Sequence, residues 1–288
     1  MNTKILSLSL AGLSLVAFNQ IIYAETSFSG LIEVEAAFSD EDEIATTVEF
    51  GIDHKVNDKV DGHILFLYED DELTIDEATI NLHPNETIDI IVGRQYVPFG
   101  SYDSNFITDP TTLDLGETQE DALKIAKKWG GGINTSAYVF KDDSDDANDK
   151  IDNYGVSLGY ENETFSLGLG YLSDVVDTAT AGFNINAKLS LDKLSVIAEH
   201  TRLEETENLN PSASHLEFAY DLGSDKTIAA TYQETSDAAE FDLPKEAFGI
   251  VYSMPVYKNT SIAAEYLNTT AYDDSEDDVF TLQLAYEF

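Results

Sequence analysis

The 288-residue chain has no cysteine, 15 basic residues against 55 acidic ones, six prolines and a single tryptophan. Without thiols, a disulfide scaffold, thiolate metal sites, a cysteine nucleophile and a lipoprotein anchor are all excluded. The shortage of bases leaves a formal net charge of −40. A phosphate backbone would be repelled, so nucleic acid is not a partner. Long apolar runs are equally scarce. The one candidate, residues 5–18, is shorter than the roughly 20 residues a membrane helix needs. Preceded by Lys4 and followed by Tyr23-Ala24, it reads as the core of a secretory signal peptide over residues 1–24, leaving 25–288 as the exported chain. Aromatic residues are plentiful, with 15 Phe and 15 Tyr, which is too many for a disordered acidic polymer.

The period of the exported chain is two. Phe280, Leu282, Leu284, Tyr286 and Phe288 alternate with Thr281, Gln283, Ala285 and Glu287. Tyr154, Val156, Leu158 and Tyr160 do the same against Gly155, Ser157 and Gly159. Sixteen such segments follow one another from 27–38 to 279–288, and almost no stretch has helical spacing. A soluble β-sandwich also alternates, but its polar face should be charged. Here that face is Gly, Ser, Ala and Thr mixed with Glu, as a packed or water-filled lumen would be. Aromatics gather near segment ends, where the girdles of a membrane barrel belong. The expected fold is therefore all-β: a transmembrane antiparallel up-and-down β-barrel of sixteen strands. The segment 122–127 is short and broken by lysines, and without it and a partner the count becomes fourteen.

Connections fall into a short set and a longer set, the asymmetry of outer-membrane barrels with periplasmic turns and external loops. The longer set carries 32 of the 55 acids and one base, Lys245. Such loops repel one another unless cations screen them, so divalent ions between barrel and lipopolysaccharide are expected partners. Asp142, Asp143, Asp145 and Asp146 suggest loose divalent binding, but the run lacks the glycine and glutamate of an EF-hand loop. No cofactor is implied. Nor is the chain expected to be an enzyme. The five histidines are scattered without metal spacing, His54 and His83 fall in short turns, and neither a nucleophile elbow nor a phosphate loop is present.

The third long connection, 98–121, stands apart. Pro98 and Pro110 stop strand continuation, and a loop of this length in a compact barrel is usually functional. The run Gly93-Arg94-Gln95-Tyr96-Val97-Pro98-Phe99-Gly100, followed by Asp109-Pro110 and Leu113-Asp114-Leu115-Gly116-Glu117-Thr118, resembles the LbtU family of siderophore porins. Its shorter first element is also similar to phosphate-selective porins. The resemblance implies a third loop folded inward to narrow the pore, and passive uptake of ferric siderophore without a plug domain. A homotrimer follows by analogy with porins. Candidate residues along the solute path are then Arg94, Tyr96, Phe99, Asp103, Asp109, Asp114 and Glu117. Arg94 either pins the loop through Asp109, Asp114 or Glu117 or meets the solute, because the pattern of 87–97 leaves its facing open. Strand parity adds Glu33, Glu35, Glu49, Glu217, Glu265 and Glu287 as lumen carboxylates, which favour cations. An anionic ferric siderophore conflicts with such a lining. Two rivals remain: a general cation-selective diffusion porin, and a non-transporting surface protein whose acidic loops bind cations or partners.

Overall fold

The computed structural model describes residues 24–39, 42–141, 150–175, 178, 180–204 and 209–288. The expected signal peptide, apart from Ala24, lies outside the described residues, as do Asp142, Asp143, Asp145 and Asp146. The first half of the barrel is β1 (Glu25–Phe38), β2 (Glu43–Asn57), β3 (Val60–Glu69), β4 (Glu72–Asn85), β5 (Ile88–Tyr96), β6 (Gln119–Gly130), β7 (Ile133–Phe140) and β8 (Asn153–Glu161). The second half is β9 (Phe165–Leu172), β10 (Gly182–Leu191), β11 (Leu194–Leu203), β12 (Ser212–Asp221), β13 (Thr227–Ser236), β14 (Glu246–Tyr257), β15 (Thr260–Thr270) and β16 (Glu276–Glu287). Each strand pairs antiparallel with its neighbours in sequence, and β16 closes the barrel on β1. Phe288 completes the seam by exchanging two backbone hydrogen bonds of 3.0 Å with Gly30.

Alternation sorts the side chains. Along β12, Leu216, Phe218 and Tyr220 stay 38–49% exposed, while His215, Glu217 and Ala219 between them are 6% or less. The fold is thus apolar outside and polar inside, the arrangement a barrel adopts when its solvent is lipid. Closure also supplies every strand with two neighbours, so no edge is left unpaired. Aromatics cluster near strand ends: Tyr154, Tyr171 and Phe183 at the long-loop end, Tyr160 with Phe165 at the short-turn end.

The sixth strand is longer than the sequence pattern indicates. β6 covers twelve residues, Gln119–Gly130, instead of 122–127. Its lysines are compatible with pairing: Lys124, opposite Ile91 and Tyr138, lines the interior, and Lys127 lies 3.7 Å over the Trp129 ring near the turn. His54 and His83 also differ from expectation, since both belong to strand ends and not to turns.

Most of the apolar core lies inside the barrel at the long-loop end. Val97, Phe99, Leu115, Tyr138, Phe140, Leu172 and Leu203 are among its buried members. Three of these, Val97, Phe99 and Leu115, belong to the connection between β5 and β6. That connection contains the helical turn α1 (Thr111–Gly116).

Gly93 fixes the end of β5 just before this connection. Its φ of +129° is closed to L side chains, and a Cβ there would run into the Ala78 carbonyl oxygen of β4. Gly93→Ala should lower barrel stability by about 1–3 kcal/mol. The check is the urea midpoint of the folded, heat-modifiable band on gels, and an unchanged midpoint would show that the glycine is dispensable.

Candidate functional site

Residues 97–118 leave the rim and turn into the lumen. Ordering so long a segment costs about 1–2 kcal/mol per residue in backbone entropy, so it needs many partners. The base of the loop is tied by the Val97 amide, which donates to the Thr118 carbonyl at 2.9 Å. Phe99 then approaches the wall so closely that a Cβ at Gly170 of β9 would meet its carbonyl oxygen.

From there a row of wall side chains takes over. On β11, Glu199 accepts the backbone amides of Ser101 and Tyr102 at 2.9 and 2.8 Å. On β12, Glu217 accepts the Ser104 hydroxyl at 2.9 Å and the Asn105 amide at 3.2 Å. On β15, Glu265 accepts the amides of Ile107 and Thr108 and the Thr108 hydroxyl, the last at 2.7 Å. The amide of Thr111, at the start of α1, donates to Gln233 Oε1 of β13 at 2.7 Å. All four wall residues are at most 4% exposed. Hydrogen bonds from amides to charged carboxylates are worth about 1.5–3 kcal/mol each, more than neutral ones. Phe106 adds an apolar anchor against Ala219, Ala229 and Val251.

The loop therefore lies along the β9–β15 side and leaves an opening against β1–β3. That opening is a cavity of about 460 Å³ lined by Glu33, Glu35, Glu49, Glu69, Asp70 and, from the loop, Phe106, Ile107 and Asp109. Among the described residues lining it there is no base. Glu35 is held by Gln283 Nε2, which donates at 2.8 Å. Asp109 keeps contact with solvent but is ringed by protein, and this loss of bulk water together with the Glu35 charge raises its carboxyl pKa. Burial, then Asp109, pushes Asp114 up to about 6. Burial and the charges of Asp109, Asp76, Asp114 and Glu77 push Glu117 up to about 7.

The remaining candidates are placed as follows. Glu217 and Glu265 face inward but are sealed beneath the loop, where they hold its backbone. Glu287 is exposed near the chain terminus, its Cα opposite Leu31 at the short-turn mouth. Asp103 forms an ion pair of 3.0 Å with Lys188 in a second polar cavity of about 490 Å³, which also includes Asn134, Ser157 and Asn186. Phe99 is 2% exposed and belongs to the core. Tyr96 donates its hydroxyl to Asp76 at 3.0 Å beside the loop base. Arg94 stands opposite Asp121 and shares the outward face of β5 with Val92, which is 44% exposed. The structure thus brings Asp109 together with Glu33, Glu35 and Glu49, sets Asp114 and Glu117 next to Asp109 in the loop, and keeps Arg94 apart from them.

Sequence reasoning overlooked Glu199, Gln233 and Asp76. Glu199 has the same parity as the buried Ile197 and Thr201, and that signal was available. Asp76 was not accessible in this way, because a register shift between β3 and β4 interrupts the alternation there. The histidine–carboxylate pairs further down the wall were also unforeseen: His63 with Asp53 at 2.8 Å, and His83 between Asp61 and Asp89 at 2.6 and 2.7 Å.

An apolar exterior, a polar interior and a loop hydrogen-bonded across the lumen define a bacterial outer-membrane channel fold. The Gram-negative porin family model matches residues 10–288, and the chain belongs to that family. The structure is similar to OmpF of Salmonella typhi in complex with daunomycin, with a TM-score of 0.73 and 14% identity over 92% of this chain and 98% of that one. It is also similar to the outer membrane channel DcaP of Acinetobacter baumannii, with a TM-score of 0.69 and 14% identity over 95% and 100%. Among curated proteins it is 25% identical to a UPF0422 protein of Coxiella burnetii over 63% of this chain and 47% of that protein. A UPF0422 protein of Legionella pneumophila is 21% identical over 85% and 59%. The chain spans about half the length of these curated relatives.

Two outcomes follow. Glu265→Ala removes the acceptor for Ile107 and Thr108, and should raise open-channel current noise in planar bilayers well above that of Glu265→Gln, which keeps one oxygen. Equal noise in both variants and wild type would mean that the loop is held elsewhere. The second concerns pH. Asp114 and Glu117 titrate higher in the folded protein than in the unfolded chain, so their charges cost stability above the ordinary carboxylate range. That cost is relieved as pH falls through about 7 and about 6. The same protonation removes negative charge beside the opening. Potassium-over-chloride selectivity should fall between pH 8 and pH 5, and Asp114→Asn with Glu117→Gln should flatten that change.

Proposed function

We propose that this porin is a passive diffusion channel of the outer membrane that favours cations. The observation carrying this reading is that carboxylates line the opening from both the wall and the loop, with no base among its described lining residues. A narrow passage of one sign, with low-dielectric walls, concentrates counter-ions and excludes co-ions. Asp103, although in the loop, is paired with Lys188 and contributes little to this field.

Uptake of a ferric siderophore is the second reading, favoured by the resemblance of the segment from Gly93 to Thr118 to siderophore porins. In this lining it requires a neutral or cationic complex, since a polycarboxylate one would be repelled. A homotrimer is part of the proposal. The similar OmpT of Vibrio cholerae was solved in a trimer form, with a TM-score of 0.65 and 13% identity.

The test is the reversal potential of the refolded mature protein in a planar bilayer under a KCl gradient. The expected result is clear cation selectivity, reduced several-fold by the triple change Glu33→Gln, Glu35→Gln and Glu49→Gln. Anion selectivity, or none, would overturn the reading. Saturable block by a neutral or cationic ferric siderophore would establish the second reading, and conductance indifferent to it would leave the general channel.

A further inference from the structure

Below the opening, the inward face of β2–β4 carries a histidine between two carboxylates. Glu49 and Leu67, which line the opening, stand opposite each other on β2 and β3. The next inward pairs down that wall are Gly51 with Leu65 and Asp53 with His63. Asp53 thus lies about 13 Å further along β2 than Glu49. A register shift between β3 and β4 sets Glu77 opposite Leu65, on the same face as His63 and one inward position above it. Sequence spacing gives no sign of this meeting, because pairing between strands creates it.

Both side chains are held from behind. His63 Nδ1 lies 2.8 Å from Asp53 Oδ1, and Glu77 Oε1 accepts the Tyr96 backbone amide at 3.4 Å. The remaining atoms, His63 Nε2 and Glu77 Oε2, then face each other at 3.5 Å, with the two side chains 25% and 26% exposed. That separation is longer than a good hydrogen bond of about 2.7–3.2 Å. It matches two ligands of one tetrahedral zinc-type ion, which stand about 3.4 Å apart when each bond is about 2.1 Å. A carboxylate on the far nitrogen is also the usual outer support of a metal-binding imidazole. His83 makes the contrast. Its Nε2 and Nδ1 lie 2.6 and 2.7 Å from Asp61 and Asp89, so both nitrogens are committed and no gap is left for an ion.

We propose that His63 Nε2 and Glu77 Oε2 form a loose site for a divalent late first-row transition cation such as zinc, on the path of ions that have passed the opening. The imidazole nitrogen sets the chemical class, since magnesium and calcium prefer oxygen alone. Among the described residues no three ligating side chains converge on one point, so water completes the shell and the ion is released readily. A site in a conducting pore needs that balance, because an ion held tightly would not leave. Lys124 of β6 senses the Glu77 charge, so the incoming ion competes with an ammonium there. The place of the site in the ion path rests on the reading of the pore as a cation passage. The ligand pair itself does not.

The test titrates zinc chloride into the refolded mature protein in detergent by isothermal titration calorimetry, with excess magnesium present to occupy carboxylate-only sites. His63→Ala should weaken zinc binding about tenfold or more and Glu77→Gln several-fold, while His83→Ala should stay within about twofold of wild type. Heat-modifiable mobility on gels verifies folding, and the nearly isosteric Glu77→Gln carries the test where His63→Ala does not fold. No zinc binding by wild type above the magnesium background, or equal binding by wild type and the His63 and Glu77 variants, would overturn the proposal. An equal loss in His83→Ala would overturn the assignment to this pair. In planar bilayers, zinc should block potassium current saturably in wild type and not in His63→Ala. Cation selectivity with no effect of zinc on the current would remove the site from the ion path. Zinc binding to this pair in a pore without cation selectivity would leave the site standing and sink the cation reading alone.

Discussion

The pore depends on one interaction: buried wall carboxylates accepting backbone amides from the third loop. Inside a lumen, a chain segment without regular structure has amide groups that must find acceptors. Glu199, Glu217 and Glu265 supply them from three strands, and Gln233 supplies a fourth acceptor. The dependence is mutual, because a carboxylate at 0–4% exposure is costly unless several donors surround it. Loop and wall therefore satisfy one another, and where the loop lies decides where the opening lies. Had these acceptors stood on β1–β3, the free side of the lumen would have been a different one.

This division of labour separates acids by task. Those under the loop are consumed by hydrogen bonds and are hidden from solute, whereas Glu33, Glu35, Glu49 and Asp109 remain at the opening. Crowding of like charge there is reflected in the raised pKa of Asp109, Asp114 and Glu117, all with burial as the leading cause. A constriction with acids on one side and bases on the other would orient dipolar solutes in a transverse field. One of a single sign sorts chiefly by charge. The lumen's lysines lie elsewhere, Lys188 engaged with Asp103 and Lys124 on β6 beside Pro98.

Much of the fold was legible before any coordinates. The alternation of Tyr154–Tyr160 and Phe280–Phe288, repeated sixteen times, matches the sixteen closed strands of the barrel. The weakest segment, 122–127, misled by being too short, because lysines interrupt a pattern that counts only apolar residues. Lys124 faces the lumen, where a lysine on a membrane strand costs little, and Lys127 lies over Trp129 near the turn, so the strand extends through them to Gly130. Parity likewise placed Glu217 and Glu265 inward. It could not say that they would be covered, since coverage depends on a loop more than a hundred residues away in sequence.

The sequence by itself determined the class of structure, because a period of two is a local property that each strand writes independently. It also determined the sign of the electrostatics, since 55 acids against 15 bases leave few ways to build a positive pore. The tertiary structure decided which acids face the solute, which hold the loop, and which face of β5 carries Arg94. Those outcomes arise from register between strands and from the path of one connection across the lumen. Both are long-range pairings, and residue type and spacing leave them open.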